Sequence, residues 1–319
     1  MAAEITRAKE TTRQRAARLA RTFGPWLVAA LIVLVILRRV RPAEIAAAVR
    51  AGHVGRVVPV AVAFAVAQLI TMSTADWLIV RAILPSVRWR EIAPVKAGVT
   101  TVQSVAWVAT QGAYAAWISR ATGIGIRNAA GVFLAFGLCD WTAGTFVISC
   151  ALWITRPQAP LFLYVAAPTC FAILVVVLAT LRRRPLDPHG EAGVVRVLQA
   201  IPRRAYFASA LARVGSATVV LTTTWAAMRA FGMPIPFGVV AAYAPLLLAI
   251  GSLPISVGGF GAVQGAWLVY TPWAPAAQIL AFQFTWNLLQ MAGQLARGLP
   301  FVKRVVVGVT AGSPKAPPR

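Results

Sequence analysis

Pro254-Ile255-Ser256-Val257-Gly258-Gly259 lies inside an apolar run that extends from 237 to 270. The run is too long for one membrane-spanning helix, which needs about 20 residues. A proline followed by paired glycines frees backbone groups that hydrocarbon cannot satisfy, and such a break is tolerated only where it is buried in protein or lines a wet cavity. The stretch therefore predicts a re-entrant hairpin, and with it a polytopic membrane protein.

The rest of the chain agrees. Of its 319 residues 59% are hydrophobic and 12% charged, and the mean hydropathy is +0.73. Soluble chains are about a quarter charged. Besides 237–270, apolar segments fall at 23–37, 57–80, 97–118, 128–154, 161–181, 205–228 and 275–299. The first has the basic lead of a signal peptide, but Arg38-Arg39-Val40-Arg41 follows it in place of a small-residue cleavage site, so it reads as an uncleaved helix. Segment 97–118 carries Thr100, Thr101, Gln103, Ser104, Thr110, Gln111 and Gly112, too polar a set for lipid, and is a second candidate hairpin.

Charge chooses the topology. If every segment spans and the N-terminus is cytoplasmic, 12 Lys and Arg fall inside and 18 outside, the reverse of the positive-inside rule. If 97–118 dips from the cytoplasm and 237–270 from the outer side, the count becomes 23 inside against 7 outside, with Arg213 inside a segment. The expected fold is an all-α polytopic protein of six spanning helices plus two oppositely oriented hairpins, an inverted-repeat transporter layout. The divisions are a basic N-terminus (1–22), one transmembrane domain (23–299) with a basic cytoplasmic loop (182–204), and a basic tail (300–319). Both termini are expected in the cytoplasm of a bacterial-type inner membrane. Five Arg in the outer loop 38–56 flank Ala43–Val49, which suggests a short interfacial helix with snorkelling side chains.

The same composition argues against enzyme chemistry. Two His (His53, His189) and eight acids leave little for acid–base or metal work, and the three Cys (Cys139, Cys150, Cys170) lie in apolar segments. Asp187, His189 and Glu191 sit in a Pro- and Gly-containing run that reads as a solvated turn. Gly259-Phe260-Gly261 lacks the third glycine and the preceding strand of a dinucleotide fingerprint. No cofactor, metal or catalytic residue is expected. The formal charge of +23 sits at segment ends, as topology requires, so nucleic acid is not an expected partner.

Polar residues inside the apolar segments are the candidate site. Gln283, Asn287, Gln290 and Gln294 recur at steps of 4, 3 and 4 and share one helical face. They read either as interhelical glue or as the wall of a substrate path. Asp76, Asp140 and Arg213 are the deepest ionisable groups, each costing at least about 2.5 kcal/mol at a helix centre, so each needs a partner, a cavity or the interface. Arg213 reads as the partner of either Asp or as a two-pronged donor to phosphate. The pairs Asp76-Trp77 and Asp140-Trp141 also fit a place at headgroup level.

Leu253-Pro254-Ile255-Ser256-Val257-Gly258-Gly259-Phe260-Gly261-Ala262-Val263-Gln264-Gly265 resembles the lysylphosphatidylglycerol synthase transmembrane-region family, flippase-like membrane proteins with the pattern Pro-x-Ser-x-Gly-Gly-x-Gly-x-x-Glu. The similarity extends more weakly over nearly the whole chain. The resemblance implies movement of a lipid or lipid-linked molecule between leaflets. Family members stand alone or carry an aminoacyl-transferase domain; the chain ends at Arg319 without one, so lipid synthesis is not expected. Two family Glu positions read Gln111 and Gln264, and Asp76 stands where the family often has Arg before Trp. A Gln keeps hydrogen bonding but cannot change charge.

The expected function is translocation of an anionic or phosphate-bearing lipid, of phospholipid or polyprenyl-phosphate type. Its groove would comprise Gln111, Arg213, Pro254, Ser256, Gln264 and the amides Gln283, Asn287 and Gln290, with backbone N–H groups of Gly258, Gly259 and Gly261 cradling the phosphate. The alternative is a non-transporting partner of a lipid-modifying or glycosyltransfer enzyme. A second copy of the chain or a membrane enzyme is the protein partner each reading admits.

Overall fold

The structure, a computed structural model, describes residues 41–103, 107–156, 160–180, 194–252, 256–257 and 260–310. It is almost entirely helical. Four helices among the described residues are long and apolar enough to cross a membrane: α2 (Val54–Ile83), α5 (Ile126–Thr155), α6 (Leu161–Thr180) and α8 (Arg203–Ala230). At 1.5 Å per residue they are about 30–45 Å long, enough for the hydrocarbon core. They match the predicted segments 57–80, 128–154, 161–181 and 205–228. The predicted helix 23–37 lies outside the described residues. Segment 275–299 forms the first part of α11 (Ala276–Thr310), which runs through Pro300 and past the expected end.

Each predicted hairpin segment contributes two helices among the described residues. The first is α3 (Trp89–Gln103) followed by α4 (Trp107–Thr122). The second is α9 (Phe237–Ser252), a two-residue antiparallel ladder β1 (Ser256–Val257) and β2 (Phe260–Gly261), then α10 (Ala262–Trp267) and a 3-10 turn at Leu268–Tyr270. The ladder sets Ser256 opposite Gly261 and Val257 opposite Phe260, so these two short stretches run antiparallel. Short helices complete the set: α1 (Pro42–Ala51), started by Pro at its first position, covers the predicted Ala43–Val49, and α7 (Val194–Ala200) lies within the basic loop 182–204.

Local sequence explains the helix ends. Gly123 follows α4 at φ +70, and Gly232 follows α8 at φ +96, conformations that glycine adopts without strain. At α8 the N–H of Gly232 reaches the Arg229 carbonyl and that of Met233 the Met228 carbonyl, which satisfies two terminal acceptors. Inside the helices most Thr hydroxyls donate to the carbonyl one turn back, as in Thr71 to Ala67, Thr142 to Leu138 and Thr222 to Thr218, so these side chains leave no orphan donor in an apolar setting.

Two helices stand between long helices twice among the described residues, in α2, α3, α4, α5 and in α8, α9, α10, α11. α2 and α8 pack along each other, and two further seams join α3 to α11 and α9 to α5. On the first of these seams Gly298 lies so close that an added Cβ would fall on the Thr101 hydroxyl and the Ala97 carbonyl, while Thr101 Oγ1 donates to the Gln294 carbonyl at 2.8 Å. On the second, Ile148 and Leu152 pack with Ala242, and Ala151 with Ala241 and Ala244. α6 packs against α5 and has no buried residue.

Candidate functional site: a buried ion cluster

The site begins with a turn. Trp77 Nε1 donates to the Val87 carbonyl at 3.0 Å and Trp89 Nε1 to Thr74 Oγ1 at 3.1 Å, which folds α3 back along α2. Asp76 stands seven residues before the last residue of α2, and Lys96 seven after the first of α3. Each is therefore about 10 Å from the turn, and the two meet. Lys96 Nζ lies 2.7 Å from Asp76 Oδ2, and Tyr114 of α4 donates its hydroxyl to the same oxygen at 2.9 Å.

α8 supplies the other base. Ser209 Oγ donates to the Ala75 carbonyl at 3.0 Å and fixes α8 beside Asp76. One turn on, Arg213 sends Nη2 to Asp76 Oδ1 at 2.5 Å and Nη1 to Asp140 Oδ1 on α5. The guanidinium also lies over the Phe136 ring, 5.4 Å from its centroid, and Lys96 Nζ over the Tyr114 ring at 5.2 Å. Five elements thus converge on two carboxylates and two bases. The formal charges cancel, which is what a low-dielectric interior demands of buried ions.

The cluster is sealed at one end and open at the other. Asp76 and Arg213 are 0% and 1% exposed, and the Asp140 side chain is 44% exposed. Its exposed face borders the open space left beside two glycines of α5, which we term the crevice. Gly137 and Gly144, one turn to either side on the same face of α5, have no atom within 4 Å of where a Cβ would stand. Asp140 is the fifteenth of the 30 residues of α5, its midpoint. A half-exposed carboxylate at the middle of a spanning helix needs water or a polar group in that crevice, because lipid offers neither.

Of the sequence-identified residues, Arg213, Asp76 and Asp140 come together, and Arg213 bonds both acids at once. Asp76 is closed to solvent, and its carboxylate accepts from three donors. Gln283, Asn287, Gln290 and Gln294 all lie in α11 with the expected spacing; Gln283 is fully buried and neither of its amide atoms has a hydrogen-bond partner among the described residues. Gln264 is buried in α10, and Ser256 and Gly261 form the β1–β2 ladder. Pro254, Gly258 and Gly259 lie outside the described residues, as does the side chain of Gln111 within α4.

Two members of the cluster, Lys96 and Tyr114, were not expected. In sequence Lys96 stands just before segment 97–118 as the last base of the stretch 81–96; in the structure it is 13% exposed and paired with Asp76. A signal was present: two intramembrane acids with only Arg213 against them leave one negative charge unbalanced, and Lys96, set among Ala93, Pro94, Val95, Ala97 and Gly98, is the base in apolar surroundings. Set against family models and curated proteins, the chain matches none.

Proposed function

We propose that the protein is a translocator that carries an anionic or phosphate-bearing lipid between leaflets. The observation that carries this reading is the ion cluster, charge-balanced inside and opening through Asp140 at the midpoint of α5. Ionisable groups inside membranes mark substrate and ion pathways, because their cost must be offset by a role or a partner. The repeated element order supports two re-entrant hairpins of opposite orientation, with α6 reversing the second half. Moving Lys96 out of the loop leaves 22 bases inside and 7 outside, so the positive-inside rule still favours cytoplasmic termini of an inner-membrane protein. The likeness of Pro254–Gln264 to flippase-like proteins points the same way.

One observation favours a second reading. α6 is a 20-residue apolar helix with no buried residue, a surface suited to a membrane-enzyme partner. Lipid mass spectrometry on the purified protein separates the two, with Gly137→Leu beside wild type. The added Cβ stands in open space one turn from Asp140, so the larger side chain narrows access to that carboxylate. A specific anionic lipid enriched in wild type and lost in the variant supports translocation. Bulk membrane lipid, equal in both, supports the partner role.

A further inference from the structure

The two carboxylates of the cluster are unequal. Asp76 accepts from Arg213, Lys96 and Tyr114 and is closed to solvent. Asp140 has Arg213 as its one partner among the described residues and keeps a free oxygen on the crevice side, where Gly137 and Gly144 leave room for water. A proton arriving through the crevice finds a vacant acceptor on Asp140 alone.

We infer that Asp140 is a proton-exchange site that controls the charge Arg213 presents to the crevice. In the resting cluster the charges cancel. Transfer of one proton from crevice water to the Asp140 carboxylate makes it a neutral acid, breaks the ion pair with Arg213 Nη1, and leaves the cluster with one net positive charge. Nη1 then faces the crevice without an anion, in the place where a phosphate oxygen of a lipid headgroup, or free phosphate, can accept from it. Loss of the proton restores the Asp140 pair and expels the anion. Proton and anion are thereby taken up together. The anion half of this exchange rests on the translocator reading; the proton half does not.

The titratable groups nearest Asp140 belong to its own cluster. Arg213 contacts it, and Asp76, Lys96 and Tyr114 stand behind Arg213 on α2, α3 and α4. On its own helix, Cys139 turns away and donates its thiol to the Tyr206 carbonyl. Among the other helices packed on α5, α6 brings Tyr164 against Trp153, more than three turns off, together with exposed Cys170; α7 brings exposed Arg196, and α9 brings Tyr243 beside Tyr270.

The full chain in nanodiscs, titrated by infrared difference spectroscopy, reads the proton directly. Wild type should gain a protonated-carboxyl stretch as pH falls, Asp140→Asn should lose it, and Asp140→Glu should keep it at a shifted frequency. The same band in Asp140→Asn, or none in wild type, overturns the inference. Proteoliposomes supply the second arm, with a fluorescent phosphatidylglycerol and inorganic phosphate as separate probes. Wild-type uptake of one of them should change about tenfold per pH unit on the alkaline side, the slope of a single proton, and Asp140→Asn uptake should be flat. Phosphate uptake without lipid movement assigns the site to the free ion. If neither probe moves while the infrared band behaves as stated, the translocator reading fails and the proton site stands.

Discussion

Lys96 and Asp76 form a 2.7 Å ion pair across the turn between α2 and α3, with Asp76 fully buried and Lys96 nearly so. The pair ties α3 and α4 to the cluster, because it is α3 that carries Lys96 and α4 that carries Tyr114. Whatever moves α3 and α4 must break or carry this contact.

Lys96→Met should therefore destabilise the protein by about 3–5 kcal/mol, the cost of leaving a buried carboxylate short of its partner. Lys96→Arg should recover most of it. Thermal unfolding in detergent, followed by circular dichroism, measures both, and an unchanged midpoint for Lys96→Met would remove the pair from any role in stability.

Asp76→Asn should cost more than Asp140→Asn. The first removes the carboxylate shared by Lys96 and Arg213, leaving Lys96 without its pair and Arg213 with Asp140 alone, whereas the second leaves both bases paired with Asp76. Urea midpoints of the two variants give the order directly, and the reverse order would mean that the crevice at Asp140 is closed in the membrane.

Gly298→Leu should separate α3 from α11. Its side chain has nowhere to go but into Thr101 and Ala97, both on the seam. Loss of the monodisperse peak in size-exclusion chromatography is the expected result, while Gly137→Leu, which enters open space, should leave the peak intact.

Gln283→Leu discriminates between packing and pathway. A fully buried amide with no bonding partner costs about 1–3 kcal/mol, so an apolar replacement should raise the unfolding midpoint. If it also abolishes lipid transfer in proteoliposomes, the amide belongs to the path; if transfer is unchanged, the stripe is packing alone.

How much of this was legible in the sequence depends on the physics behind each feature. Segment 128–154 became Ile126–Thr155 and 205–228 became Arg203–Ala230, because hydrocarbon thickness sets the length of an apolar helix and length is written in one dimension. The expected breaks at Pro254–Gly259 and in 97–118 rest on the same physics, and Pro254, Gly258 and Gly259 lie outside the described residues. The cluster was half legible. Asp76, Asp140 and Arg213 stand out as charges among apolar neighbours, but Lys96 hides at the end of a basic stretch and Tyr114 looks like any aromatic. Their role depends on which helix folds against which, and the indole bonds of Trp77 and Trp89 that decide it span ten and fifteen residues.

The seam between Thr101 and the Gln294 carbonyl joins positions 193 residues apart. A ribosome adding roughly 5–20 residues per second needs about 10–40 s to deliver the second after the first. During that interval the face of α3 that will meet Gly298 has no mate within the chain. Neither half is then a finished unit by itself, and a chain truncated before α11 should be destroyed by membrane proteases rather than accumulate as a working fragment.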